Sequence, residues 1–168
     1  EGQTVDGGEV YRLNGNEVDP GMMKEAIAEN SDDDISIITS DREMIAQIPG
    51  VREIMLNYIP EGWENGEYKY SRMDGTQFYA ETYYSKQNQK DIRYRSVSFE
   101  NMDSVSNEIQ QDAAGIEKRI NEVNVYFTNN NEVAVATWNI DLSNYTLFAP
   151  VSEEEMQKMI ESIKEVNK

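Results

Sequence analysis

The spacing of apolar residues changes after Gly62, and this change constrains the fold more than any other feature of the sequence. Upstream, apolar residues such as Met44, Ile45 and Ile48 recur at helical spacing. Downstream, apolar and polar residues alternate through the run EYKYSRMDGTQFYAETYYS. A period of 3.6 residues is typical of an amphipathic helix, and a period of two is typical of a half-buried strand. The sequence therefore predicts an α+β domain with an antiparallel sheet of about six or seven strands.

Two registers are possible for the hairpin that turns near Asp74-Gly75. A two-residue turn pairs Tyr70 with Tyr79, whereas a three-residue loop starting at Met73 pairs Tyr70 with Phe78. A one-residue slip exchanges the two faces of a strand. We favour the three-residue loop, which turns Tyr79, Glu81 and Tyr83 toward solvent. It gathers a larger apolar set on one face, namely Tyr68, Tyr70, Phe78, Ala80, Thr82 and Tyr84.

The C-terminal half predicts further strands and one helix. The runs VNVYFT and VAVATWNI form a hairpin if Asn130-Asn131 is its turn, and YTLFA adds a strand. Ser152 and Glu155 form a capping box at the start of the last helix. The apolar stripe of this helix is expected to pack on the sheet, and it consists of Met156, Met159, Ile160 and Ile163.

The N-terminal segment, residues 1–54, predicts a hairpin, two helices and a short strand, ISIIT. Asp19 caps the first helix, and Ser40 with Glu43 forms a capping box for the second. The main domain is formed by residues 55–168, and the sequence leaves open whether the N-terminal segment packs on it and shares its core. The stretch 105–120 is the hardest part of the chain to assign. Apolar spacing alone slightly favours a helix there.

Composition excludes many kinds of chemistry. The chain contains neither histidine nor cysteine, which removes Ser-His-Asp and Cys-His catalysis, disulfides and the usual zinc and haem ligands. The net charge of −17 repels nucleic acid and anionic lipid surfaces. No run of apolar residues is long enough to span a bilayer. We therefore predict no catalytic residue, no metal site and no cofactor.

Three aromatic residues are candidate ligand contacts. Tyr79 and Tyr83, if exposed on the sheet, can stack on sugars or peptides, and Trp63 follows a Pro-Glu-Gly turn in the stretch NYIPEGW. The alternative interpretation is that tyrosine suits strands and that Trp63 anchors the first long hairpin. Glu61 in the same turn could act as a general acid, but no second carboxylate is placed beside it, and we interpret it as a surface residue.

The order of motifs from NYIPEGW onward resembles an uncharacterised bacterial domain family. The motifs are YIPEGW, a tyrosine-rich hairpin, EVNVYF, AVATWNIDLSNYTLFA and SEEEMQKMIESI. The family is similar to the extracytoplasmic regulators MucB and RseB and, through them, to the LolA-type fold. This resemblance implies a curved antiparallel sheet with helices against its concave side. It also implies that residues 105–120 form a loop and a strand rather than a helix.

The resemblance implies a cellular setting and a general role. The resemblance is to domains of bacterial anti-sigma-factor-like proteins and lipoproteins. Members typically sit outside the cytoplasm, tethered by one spanning helix or a lipid, so we expect an upstream tether and no membrane insertion by this segment. The leading expectation is a non-enzymatic domain that binds a protein, a peptide or an envelope component, or regulates a partner. A lipid or lipoprotein carrier with an apolar trough and a carboxylate-dependent hydrolase are the alternatives.

Overall fold

The computed structural model describes residues 9–29, 32–87, 90–99, 115–130 and 132–167. These residues form a ten-stranded sheet in which neighbouring strands run antiparallel, in the order β2-β1-β3-β4-β5-β6-β10-β9-β8-β7. The strands are β1 (Val10–Leu13), β2 (Asn16–Glu17), β3 (Ile35–Thr39), β4 (Glu64–Met73), β5 (Thr76–Tyr84), β6 (Ile92–Phe99), β7 (Ile116–Ile120), β8 (Val123–Asn130), β9 (Val133–Ile140) and β10 (Ser143–Ala149). The helices are α1 (Pro20–Glu29), α2 (Arg42–Ala46) and α3 (Glu153–Glu161), with short 3-10 helices at Arg52–Ile54 and Lys164–Asn167.

The sheet has more strands than the sequence predicts. The predicted N-terminal hairpin and the strand ISIIT do form, but β3 pairs with β4 and β1 pairs with β3. They therefore extend the main sheet at one edge. Buried side chains of these strands, such as Tyr11 and Ile37, belong to the same apolar core as the rest of the molecule.

The register of the β4–β5 hairpin differs from the favoured prediction. Tyr70 pairs with Tyr79 and Met73 pairs with Thr76, which leaves a two-residue turn at Asp74-Gly75. Both turn residues have positive φ, 50° and 78°, as in the tight turns whose twist matches that of the strands. The three-residue loop was therefore wrong, and the strand faces are exchanged.

Aromatic side chains fill the core face of the sheet. Trp138 stacks on Tyr145 with 5.5 Å between ring centroids and on Tyr94 at 6.3 Å. Tyr79 meets Tyr94 edge to face, and such pairs contribute beyond their buried area. The layer is buried and consists of Tyr68, Tyr70, Tyr79, Tyr83, Tyr94, Trp138 and Tyr145.

The helices pack on this core face. The predicted stripe of α3 is confirmed, since Met156, Met159 and Ile160 are fully buried, as is Ile163 directly after the helix. Ser152 caps α3 by accepting from the Glu155 N–H, which confirms the Ser152 part of the predicted capping box, whereas the Glu155 carboxylate accepts from the Tyr58 hydroxyl. At α2 the cap is Asp41 rather than Ser40, because the Asp41 carboxylate accepts from the N–H groups of Glu43 and Met44. Asp19 accepts from the Met22 N–H at the start of α1.

The predicted inward faces of β8 and β9 are confirmed, but the turn between these strands differs from the predicted one. Val125 pairs with Trp138 and Asn130 with Val133, so the turn lies one residue later than Asn130-Asn131. This shifts the pairing by two residues and keeps the predicted inward face. Ile116–Ile120 is a strand, as the family resemblance implies, and residues 100–114 lie outside the described residues.

The stretch NYIPEGW is a corner that fastens the chain to α3. The Asn57 N–H donates to Ser162 Oγ at 2.8 Å, and the Tyr58 hydroxyl donates to the Glu155 carboxylate at 2.6 Å. Gly62 has φ of 98°, which glycine adopts readily. Trp63 is half-buried against the core, directly before β4 begins, in agreement with its predicted role as an anchor.

Candidate functional site

A trough runs along β5 on the face of the sheet opposite to the helices. It encloses about 850 Å³. We call it the β5 trough and define it by its floor and walls, which are formed by Lys69, Phe78, Ala80, Thr82, Arg93 and Arg95. Residues of this face alternate with the buried tyrosines of the core face, because successive side chains of a strand point to opposite sides.

Strand pairing explains the shape of the trough. Ala80 pairs with Lys69 on one side and with Arg95 on the other. Small side chains on the central strand thus lie between long side chains on both neighbours. Since strands are spaced by about 4.8 Å, the two walls stand about 10 Å apart.

The next row of the trough repeats this arrangement with one change of charge. Thr82 pairs with Glu67 and with Arg93, so a carboxylate replaces the lysine on the β4 wall. The largest concentration of positive charge therefore lies over Ala80.

Aromatic side chains border the trough. Phe78 and Tyr84 lie at opposite ends of the β5 floor, and 47% of the Tyr84 surface is exposed. The Arg95 guanidinium lies over the Phe148 ring at 6.0 Å, a cation–π distance. The trough thus combines positive charge with apolar contact surface.

The charge of the trough opposes that of the whole chain. Four cations line it, Lys69, Lys90, Arg93 and Arg95, together with the carboxylates of Glu67 and Asp91. Asp91 lies 3.6 Å from Arg93, whose side chain remains 70% exposed. The chain has only 15 basic residues against 32 acidic ones, so a surface where cations outnumber carboxylates is a departure from its average.

A buried carboxylate lies behind the trough, on the core face of the same strand. Glu81 is fully buried and accepts from the Tyr79 hydroxyl at 2.6 Å, from the Tyr83 hydroxyl, and from the Leu56 N–H at 3.0 Å. Burial raises the pKa of Glu81, although the three donors and the charge of Arg42 oppose that rise. The expectation that Glu81 faces solvent was wrong.

Arg42 extends this cluster toward the surface. Its guanidinium donates to the Leu56 carbonyl and to Asn57 Oδ1, both at 3.0 Å, and lies 3.5 Å from the Tyr68 hydroxyl. The Leu56 N–H therefore donates to Glu81, and the Leu56 carbonyl accepts from Arg42. The cluster fixes the 55–57 segment on the sheet, which is a structural task.

The predicted ligand contacts lie apart from the trough. Tyr79 and Tyr83 are each 1% exposed. They were selected because we expected them to be exposed, and this expectation was wrong. The favoured register of the β4–β5 hairpin had placed them on the solvent face. Trp63 is half-buried and Glu61 is exposed. Tyr79 does line a smaller cavity of about 270 Å³ on the core face.

That smaller cavity is lined by hydroxyl groups. Ser96 Oγ is buried there and has no hydrogen-bond partner among the described residues. Tyr70 and Tyr145 also line it, and burial raises the pKa of both phenols. Buried polar groups in such spaces are commonly satisfied by ordered water.

Sequence reasoning missed the cations of the trough, although a signal was present. Arg93 and Arg95 alternate in DIRYRSVSF, so a strand places both on one face. The two-residue turn that we did not favour puts Lys69 on the face of Phe78 and Ala80. Choosing the correct register would have assembled the site.

Fold and site together define a class: an antiparallel-sheet domain with helices on one face and a cationic trough on the other. Residues 53–163 match the model of a domain of unknown function, DUF4367, and the chain belongs to this family. The match includes β4 to β10 and α3, hence the whole trough, and excludes β1 to β3.

The other comparisons add no relative. No curated protein matched the chain, and no solved structure did so. Nothing in these findings connects the chain with MucB, RseB or LolA, so that part of the resemblance stays a prediction. Within the described ranges, no helix has the length and apolar character needed to cross a membrane.

Proposed function

We propose that this domain is a non-enzymatic binding module that holds an anionic ligand in the β5 trough. One observation carries the proposal: Lys69, Arg93 and Arg95 surround a floor of small side chains in a chain of net charge −17. Holding like charges together on one surface costs free energy, and a bound anion offsets that cost.

The strongly acidic chain makes such a site selective. At physiological ionic strength, charges more than about 8 Å away are largely screened. An anion in the trough therefore interacts mainly with the cations that line it. An anion elsewhere on the surface meets mostly carboxylates and is repelled.

The structure gives less support to the alternatives. The space between the sheet and α3 is filled by side chains such as Met156 and Met159, whereas a lipid carrier needs an apolar cavity of several hundred Å³. A hydrolase needs two carboxylates placed at a defined separation across one cleft. Glu67 and Asp91 both line the trough, but Asp91 forms an ion pair with Arg93 at 3.6 Å. The Glu81 carboxylate points into the core, and Glu61 is exposed in a turn.

The experiment measures binding of two labelled polyanions, decaglutamate and inorganic polyphosphate, by fluorescence anisotropy at low salt. We expect at least one to bind, and the variant Arg95→Glu to weaken that binding at least tenfold. Lys24→Glu is the matched control, since Lys24 is exposed on α1 at the opposite face. Circular dichroism verifies that each variant is folded.

Two results would overturn the proposal. The first is that neither polyanion binds wild-type protein. The second is that the Lys24→Glu variant loses as much affinity as the trough variant, because binding would then respond only to net charge. Affinity that falls as salt is raised is expected for a site of this kind.

The cellular setting is a separate proposal, supported by the sequence resemblance alone. We propose that the domain works outside the cytoplasm of a bacterium, in a protein tethered to the membrane, and that it regulates or recruits a protein partner. Protease accessibility of the full-length protein in intact cells tests the location. A sigma-factor gene beside its own gene is expected if the role is regulatory.

A further inference from the structure

We propose that the ligand of the β5 trough is an extended peptide segment with acidic side chains at alternate positions. This inference rests on the proposed function and specifies its ligand. Three observations support it: the spacing of the cations along the trough, its width, and the chemistry of its floor.

The spacing of the cations matches an extended peptide. Arg93 and Arg95 are two residues apart on β6 and share one face. Their Cα atoms are therefore about 6.6 Å apart, since a strand rises about 3.3 Å per residue. Alternate side chains of an extended peptide repeat at the same interval and also share one face.

The width of the trough fits one such chain. The β4 and β6 walls stand about 10 Å apart, and a single extended strand occupies about 4.8 Å of that distance. Side-chain carboxylates of a peptide lying along β5 then reach the cations on either wall. The backbone groups of β5 are already paired with β4 and β6, so side chains have to supply the specificity.

The charges of the two rows fix where the carboxylates lie. One is expected over Ala80, between Lys69 and Arg95. A second, two residues along the peptide, is expected beside Arg93 on the β6 wall, away from Glu67. A continuous run of acidic residues would direct half of its carboxylates away from the sheet and gain less.

The floor favours a peptide over a nucleic acid strand. Single-stranded nucleic acids are held largely by successive bases that stack on aromatic rings. Here Ala80 and Thr82 form the centre of the floor, and the rings of Phe78 and Tyr84 lie at its two ends. The phosphate backbone of a nucleic acid would also bring more negative charge close to a chain of net charge −17. It would therefore be repelled more strongly than a peptide. Small side chains on the floor leave room for the side chains of a peptide.

The test compares three labelled ten-residue peptides by anisotropy. The first alternates glutamate with threonine, the second has the same composition with its glutamates in one block, and the third replaces every glutamate by glutamine. We expect the alternating peptide to bind at least fivefold more tightly than the block peptide. The glutamine peptide is expected to bind too weakly to measure.

Two variants locate the peptide. Ala80→Glu places a carboxylate where the ligand's carboxylate is expected, and it should abolish the preference for the alternating peptide. Lys69→Gln removes one cation without adding charge and should reduce that preference. Ala28→Glu on the exposed side of α1 is the matched control and should leave it unchanged.

The outcomes separate this inference from the proposed function. Equal affinity for alternating and block peptides overturns the alternating-peptide inference, while the trough remains an anion site. Binding of polyphosphate or an oligonucleotide at Lys69 and Arg95, with no peptide binding, also overturns it. If no anion binds, the proposed function fails together with the inference.

Discussion

At the residue scale, Glu81 joins the two layers of the molecule. Its carboxylate lies on β5, yet it accepts from the Leu56 N–H, which belongs to the segment that leads from the helices into the sheet. The hydroxyls of Tyr79 and Tyr83 complete its hydrogen bonding. A buried carboxylate of this kind is costly unless donors surround it, and here they come from two elements.

We expect Glu81→Ala to lower the free energy of unfolding by about 2–4 kcal/mol. Each of the three buried donors left without an acceptor costs about 1–3 kcal/mol, and removal of the costly buried carboxyl offsets part of that loss. Urea denaturation followed by tryptophan fluorescence measures the change. Glu64→Ala, at an exposed position of β4, is the matched control and should stay within about 0.5 kcal/mol. Equal stability of the two variants would show that the Glu81 cluster is energetically neutral.

The pKa of Glu81 predicts a pH dependence of stability. Because burial raises the folded-state pKa above that of the unfolded chain, the folded protein holds more protons between the two values. The contribution of Glu81 to stability is therefore fully present below the unfolded pKa, about 4.3. It is lost as the pH rises through the folded-state pKa.

We expect the free energy of unfolding of wild type, relative to Glu81→Gln, to decrease as the pH rises from about 4 toward neutrality. Taking the difference removes the repulsion among the other carboxylates, which changes with pH in both proteins. Urea titrations at a series of pH values measure it. A difference that stays constant or grows with pH contradicts the assignment.

At the element scale, the β4–β5 hairpin shows what sequence pattern can and cannot decide. Alternation predicts both strands and their turn, but either register buries a plausible set of side chains. The three-residue loop buries Phe78 and leaves Tyr79 outside, so hydropathy favours it. The real register buries tyrosines because Glu81 accepts from Tyr79 and Tyr83. A pattern of apolar residues contains no information on that network.

The corner at NYIPEGW supplies a prediction about backbone conformation. Gly62 has φ of 98°, and a Cβ added there would meet no atom within 4 Å. Gly62→Ala therefore tests conformational strain alone and should cost about 1–2 kcal/mol. The matched control is Glu61→Ala in the same exposed turn, expected within about 0.5 kcal/mol. A larger loss for Glu61→Ala would give that residue a role beyond the turn.

At the scale of the whole molecule, the sheet connects the segments that the sequence divides at residue 54. The pairs β3–β4 and β1–β3 continue the sheet, and buried side chains from both segments belong to one core. A shared core of this kind favours cooperative unfolding. The family match begins at residue 53, so β1 to β3 add an edge to the part that the family model covers.

We expect thermal unfolding to give one transition. Tryptophan fluorescence reports on Trp63 and on Trp138, which is 1% exposed, and far-UV circular dichroism reports on the strands of the sheet. Coincident midpoints from the two probes are expected. Backbone amides of β1 to β3 that exchange their hydrogens much faster than those of β4 to β10 would instead show that the N-terminal strands unfold independently.

The sequence by itself determined the type of most elements, the caps of α1 and α3, the packing stripe of α3 and the exclusion of histidine and cysteine chemistry. These depend on local spacing and residue identity, which a sequence states directly. Strand β7 is an exception, because apolar spacing favours a helix there. Only the tertiary structure decided the register of β4 against β5, the burial of Glu81 and the assembly of Lys69 with Arg95 across Ala80. Each of these depends on which residues face each other across strands, and a one-residue slip changes all of them.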